Sequence, residues 1–161
     1  LETTQAITIL RPFHGGGRQE LVSQPKIYGF DTGFVAFSRG WTSLRSEDCG
    51  HLLENLVLES LQAISSLRGI FFWRTKQQKE IDFIVPVGRD CVHLIECKWK
   101  SNQVDLKSIK AFREDYPKGE NFLVTSDAHL QSSNRMGDLN FKYLNIEMFR
   151  SEFEKAVKIR E

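Results

Sequence analysis

The chain has 161 residues, with 22 Lys and Arg against 21 Asp and Glu, and 40% of its residues are hydrophobic. That length suits one well-packed domain with a small appendage, and no apolar run approaches the roughly 18 residues that a membrane-spanning helix needs. A formal net charge of +1 neither requires nor excludes a nucleic-acid partner, because binding depends on a local basic face.

Cys49, Cys91 and Cys97 form no C-x-x-C pair and are odd in number, which argues against a disulfide framework or structural zinc and fits a cytoplasmic protein. With no initiator Met and no signal-peptide layout, Leu1 is read as the start of an excised piece of a longer protein.

In chain order, Gln5 to Leu10 is apolar and β-branched enough for a strand, and His14-Gly15-Gly16-Gly17 makes a flexible turn. Lys26 to Phe30 reads as a second strand, and residues 32–38 as a short helix or turn. The Ser-, Gly- and charge-rich stretch Gly40 to Cys49 is the best candidate boundary. Ser46 then opens a helix as N-cap, with Glu47 and Asp48 in the first turn, where the helix dipole favours negative charge. Leu52, Leu53, Leu56, Val57, Ser60, Leu61 and Ile64 recur at helical spacing to about Leu67. Glu54 falls at the edge of that stripe.

Gly69 to Thr75 is a predicted strand, followed by Lys79 to Val87 and Cys91 to Trp99, joined by the compact turn Gly88-Arg89-Asp90. Val104 to Tyr116 has helical spacing, and Pro117 stops it. Asn121 to Thr125 is a short continuous apolar run, the pattern of a strand buried on both faces. Phe141 to Leu144 reads as another strand and Ile146 to Ile159 as a terminal helix. Helix, three-strand meander, helix, strand, terminal helix is a mixed α/β domain.

Pairing Val87 with Cys91 across the three-residue turn brings Asp82 opposite Glu96 and Glu80 opposite Lys98. Alternate side chains of a strand share a face, so Asp82, Glu96 and Lys98 collect on one, with Glu80 at its margin. Two facing carboxylates repel, and a divalent cation between them turns the repulsion into a binding site. Mg²⁺ is typically held by one or two carboxylates, waters and a substrate phosphate. A bound metal activates water and neutralises the leaving oxygen, and Lys98 beside it steadies the developing charge. The plain alternative is a charged, solvated strand face. The otherwise apolar strand around Glu96 and Lys98 (Val92, Leu94, Ile95, Cys97) suits a central strand better.

These residues carry a resemblance. The order "helix with Glu54, then Glu80-Ile81-Asp82, then Glu96-Cys97-Lys98" resembles the PD-(D/E)XK, or restriction-endonuclease-like, superfamily. More closely, KIYGFDTGF (26–34), GHLLENLVLESL (50–61), FFWRTKQQKEIDFIV (71–85) and LIECKW (94–99) are similar to the nuclease-like domain of unknown function at the C-terminus of many prokaryotic AAA+ ATPases. The resemblance implies a restriction-endonuclease-like core, a mixed central sheet flanked by helices. It implies Mg²⁺ or Mn²⁺ held by Asp82 and Glu96, Lys98 as the catalytic lysine, and Glu54 completing the metal site directly or through water. Ile81 stands where the superfamily's name has proline, which supplies no ligand. Residues 1–45 would join a missing ATPase and winged-helix part to a nuclease-like domain at 46–161. The implied activity is metal-dependent phosphodiester hydrolysis of DNA, with RNA an alternative substrate. The implied partner is the upstream ATPase, in an assembly that can be oligomeric. The rival reading keeps the fold as a non-catalytic docking or regulatory module.

Trp73, Arg74 and Lys76, with Lys79 nearby, mix aromatic and basic side chains in the manner of a nucleic-acid contact; a solvated hairpin tip is the alternative. Lys98, Lys100, Lys107 and Lys110 extend a basic rim. Asp31-Thr32-Gly33 matches the aspartic-protease tripeptide, but that chemistry needs two such loops, so it reads as a turn. His51 and His93 are too isolated for a catalytic dyad, and Tyr28, Trp41 and Trp99 read as packing residues.

Overall fold

The computed structural model describes residues 6–16, 24–64, 66–67, 69–128 and 132–158. Its elements are β1 (Ile7–Pro12), β2 (Lys26–Gly29), α1 (Thr32–Ser38), α2 (Ser46–Gln62), β3 (Phe71–Arg74), β4 (Glu80–Pro86), β5 (Val92–Lys98), α3 (Leu106–Asp115), β6 (Asn121–Thr125), β7 (Ser132–Met136), β8 (Leu139–Leu144) and α4 (Ile146–Lys158). The strands form one mixed sheet in the order β2-β1-β3-β4-β5-β6-β8-β7. The fold is therefore α/β, as the alternation of helical and extended patterns predicts. Among the described residues, no helix is long and apolar enough to cross a membrane.

The meander is antiparallel from β3 to β5, and β5 then runs parallel to β6 after the α3 crossover. Phe83, Val85, Ile95, Cys97, Phe122 and Val124 pack with α2 and α4, through Leu53, Val57, Leu61, Phe149 and Phe153. Ile81, Ile84, Leu94 and Leu123 pack with Ile109 and Phe112 of α3. β6 is buried along its whole length, as a run without polar alternation requires. Each face of the central sheet is thus covered by helix.

The hairpin register holds from Phe83 to Pro86, but the ladder ends there, and the expected pairings of Asp82 with Glu96 and Glu80 with Lys98 are not part of it. Phe83 pairs with Ile95 and Pro86 with Val92, and the Val87 N–H donates to the Cys91 carbonyl at 2.9 Å. On the other side of β4 the register slips, from Phe71 opposite Ile84 to Trp73 opposite Ile81. Asp82 and Phe83 therefore share the place opposite Phe72, a bulge with one extra residue in β4. Ile81 and Ile84, three apart, consequently pack in the same cluster.

Several boundaries differ from the sequence reading. The N-cap of α2 is Arg45, not Ser46: the Asp48 carboxylate accepts the Arg45 backbone N–H at 3.0 Å and also takes its guanidinium. That helix stops at Gln62, short of Leu67, and Leu56 of its expected stripe is exposed. β7 has no apolar alternation in Ser132–Met136 and was not foreseen; it is held by pairing with β8. Gln5, Gly17 and Ile159, at the edges of predicted elements, lie outside the described residues. Asp31 caps α1, accepting the Phe34 N–H at 2.6 Å, which gives Asp31-Thr32-Gly33 its turn role.

The stretch read as a joining segment supplies β1 and β2 to the same sheet. β1 pairs with β2 through Ile7–Leu10 and parallel to β3 through Arg11–Pro12. By changing partner halfway, β1 lets β2 fold over the meander, where the Tyr28 ring lies 5.8 Å from that of Phe83.

Candidate functional site

Beyond Phe83 and Ile95, the side chain of Asp82 takes over from the ladder. Its Oδ2 accepts the Cys97 backbone N–H at 2.8 Å, which anchors the carboxylate beside β5 with only 5% of the residue exposed. Glu96, 3% exposed, lies on the neighbouring strand. The Lys98 ammonium bridges the two, 2.6 Å from Glu96 Oε1 and 3.5 Å from Asp82 Oδ2. The three residues singled out in the hairpin do converge.

A second ammonium arrives from β2. Lys26 Nζ is 3.6 Å from Asp82 Oδ1 and pairs tightly with Glu80 Oε1, while Arg74 binds the other oxygen of Glu80. Two residues further along β2, the Tyr28 hydroxyl donates to Glu54 Oε2 at 3.1 Å. Glu54 on α2, Glu80 and Asp82 on β4 and Glu96 on β5 are therefore interleaved with Lys26, Arg74 and Lys98. The sequence reading missed Lys26 as a site residue and gave Tyr28 a packing role alone. The available signal was an inverted alternation: Ile27 between them is 65% exposed, so β2 turns its polar side chains inward.

Burial and mutual repulsion set the proton affinities. Glu96 is pushed up to about 8, first by burial and then by Asp82, against the pull of Lys98. Glu54 is pushed up to about 7 by burial and then by Asp82, with Lys26 and the Tyr28 hydroxyl opposing. Burial disfavours the charged form of Lys98, yet Asp82 and Glu96 outweigh it and raise its pKa. The same balance, with Asp82, Glu54 and Glu80 as the acids, raises Lys26. Both ammoniums stay charged.

Glu54 and Glu96 each feel Asp82 strongly, so Asp82 is the shared neighbour. Among the described residues, no three His, Cys, Asp or Glu side chains lie close enough to hold a metal ion. The expected set of Asp82, Glu96 and Glu54 is thus not closed in this arrangement, in which lysines stand between the acids. Asp82 and Glu96 by themselves fit a Mg²⁺ ion, which needs only one or two carboxylates with water and phosphate oxygens. Glu96 Oε2 is buried without a hydrogen-bond partner, a state costly for a carboxylate oxygen and relieved by a cation.

A groove of about 440 Å³ opens beside the cluster, lined by Lys26, Glu54 and Glu80 and by the cationic or titratable Arg39, His51 and Arg74. Of the expected nucleic-acid contacts, Trp73 is corrected. It is 1% exposed, edge-on to Phe112 at 5.5 Å, and offers no face for stacking. Arg74 is turned onto Glu80 and over the Phe72 ring. Lys76 is exposed in the β3–β4 turn and Lys79 half-buried, while Lys100, Lys107 and Lys110 are exposed. His93 is a core residue whose Nδ1 accepts the Glu120 N–H at 3.0 Å.

Fold and cluster together define an α/β domain with a central mixed sheet and a buried acid–lysine network at the fork of its meander. The model of the domain of unknown function DUF4143 matches residues 49–148, and the chain belongs to that family. No curated protein matches it. Among solved structures, it is similar to a chain of the refined half-complex from the tetradecameric assembly of Thermococcus gammatolerans McrB AAA+ hexamers with bound McrC. The identity is 12% and the TM-score 0.47, with 66% of this chain and 33% of that one covered. The present chain thus spans about a third of that chain's length.

Proposed function

We propose that the domain is a PD-(D/E)XK-type nuclease that hydrolyses phosphodiester bonds of DNA with Mg²⁺ or Mn²⁺. The observation that carries this reading is the Lys98 ammonium set between Asp82 and Glu96, with the second oxygen of Glu96 buried and unpartnered. Asp82 and Glu96 would hold the cation, with Glu54 joining through water. When bound, such an ion supplies Lewis-acid polarisation of the phosphate and a water of lowered pKa. Lys98 keeps its proton and lies where it can orient an attacking water and offset charge on the phosphorane oxygens. Arg39, His51 and Arg74 in the adjacent groove suit a sugar–phosphate chain. By the resemblance of its motifs, the domain would work with an AAA+ ATPase.

Purified full-length protein should cut plasmid or branched DNA with Mg²⁺ or Mn²⁺, and Lys98→Ala should lower the rate at least about 100-fold while the protein stays folded. Absence of cleavage of any DNA or RNA form would refute the proposal.

One observation favours the rival, a docking module. Lys26, Arg74 and Lys98 already neutralise most of the acid cluster, so the network can hold the fold without metal. Calorimetry with Mn²⁺ separates the two. Binding lost in Asp82→Ala supports the nuclease; no binding, or binding indifferent to that change, supports docking.

A further inference from the structure

Asp82 has two oxygens and two resident cations. Lys98 of β5 lies against Oδ2, which also holds the Cys97 N–H, and Lys26 of β2 lies against Oδ1. The two lysines are unequally tied. Lys98 belongs to the strand that carries Glu96, in the middle of the sheet. Lys26 comes from the outermost strand, only four residues long, and its closer partner is Glu80. Its side chain is 13% exposed and lies over the Phe72 ring at 5.6 Å, on the wall of the groove. Lys26 can therefore give up Asp82 and keep Glu80, whereas Asp82 Oδ2 stays committed to the β5 backbone. The oxygen free to accept an incoming cation is Oδ1.

We propose that Lys26 is a built-in counter-cation of Asp82 that competes with the divalent ion for Oδ1, so that metal binding proceeds by exchange of one charge for another. The inference rests on the reading of Asp82 and Glu96 as the metal-holding pair. It makes Lys26 a positioning residue. In the metal-free protein it pairs with Asp82 and holds the carboxylate in place, and on exchange it is retained by Glu80 at the wall of the groove.

The test is Mn²⁺ calorimetry on the full chain, with thermal unfolding of each variant with and without Mn²⁺. Lys26→Gln should bind Mn²⁺ about tenfold more tightly than the unaltered protein, since a unit charge beside the ligand is gone. Its metal-free melting temperature should be lower and its Mn²⁺-induced rise larger. Lys26→Arg should bind much as the unaltered protein does. Where Lys26→Gln does not fold, Lys26→Met keeps the stem against Phe72 and is read in the same way. Unchanged or weaker Mn²⁺ binding in the neutral variants overturns the proposal, because a merely structural lysine would lower stability without tightening the metal. If that happens while the unaltered protein binds Mn²⁺ and Asp82→Asn does not, the metal site stands and only the competition fails. If no protein binds Mn²⁺, both fall together.

Discussion

Glu96 and Glu54 hold their protons more tightly in the fold than in the unfolded chain, where a glutamate titrates near 4.5. The folded state therefore binds more protons across the window from 4.5 up to about 7 for Glu54 and about 8 for Glu96. A group of this kind contributes stability below its unfolded pKa and loses it as the pH rises through the folded value. The metal-free domain is thus expected to lose on the order of 3 kcal/mol between pH 5 and 8 through Glu96. Glu96→Gln should flatten that slope in urea titrations at a series of pH values. Glu80 runs the other way: burial would raise it, but its bonds to Arg74 and Lys26 hold it below its ordinary value. The difference between variant and unaltered protein therefore isolates the buried acid.

At the scale of elements, the position of the site depends on how β5 and β6 are tied together. Arg113 of α3 donates to the carbonyls of Val92, Tyr116 and Glu120 and to Asn121 Oδ1, stitching the α3–β6 turn to the start of β5. Burial lowers its pKa to about 10, still high enough to keep the guanidinium charged at neutral pH. Gly119 sits in that turn at φ +134°, where an added Cβ would come within 1.9 Å of the Val92 carbonyl oxygen. No side chain can yield there, because the obstacle is backbone. Gly119→Ala is expected to cost about 3 kcal/mol or more, seen as a lower urea midpoint with an unchanged m-value. The same scale shows why Trp73 misled. A Trp–Arg–Thr–Lys run reads as a binding patch in one dimension, but the strand sends Trp73 inward onto Phe112 and turns Arg74 onto Glu80, leaving Lys76 exposed.

For the whole molecule, the first two strands complete both core and cluster. Leu10 and Tyr28 are buried with Phe72 and Phe83, and Lys26 reaches Asp82 and Glu80. A fragment starting at Ser46 would lose the parallel pairing of β1 with β3, expose those aromatic rings and leave Asp82 with one cation fewer. Its unfolding in urea is expected to show a markedly lower midpoint or no cooperative transition, since each large buried side chain removed from a core costs about 2–5 kcal/mol. A midpoint equal to that of the full chain would make β1 and β2 an appendage after all.

Much of the architecture was written in local patterns: the apolar stripe of α2, the unbroken run of β6, and the three-residue turn that sets β4 against β5. Because side chains along a strand alternate with period two, that turn already directs Asp82, Glu96 and Lys98 toward one side of the sheet. The bulge at Asp82, the polar strand β7, and the arrival of Lys26 and Tyr28 were decided only when the chain closed on itself. They depend on contacts between segments distant in sequence, such as Lys26 with Asp82 and Tyr28 with Glu54, and no local periodicity encodes such a meeting. Composition and spacing placed two acids and a lysine on one fork; packing across the sheet supplied the second lysine that balances them.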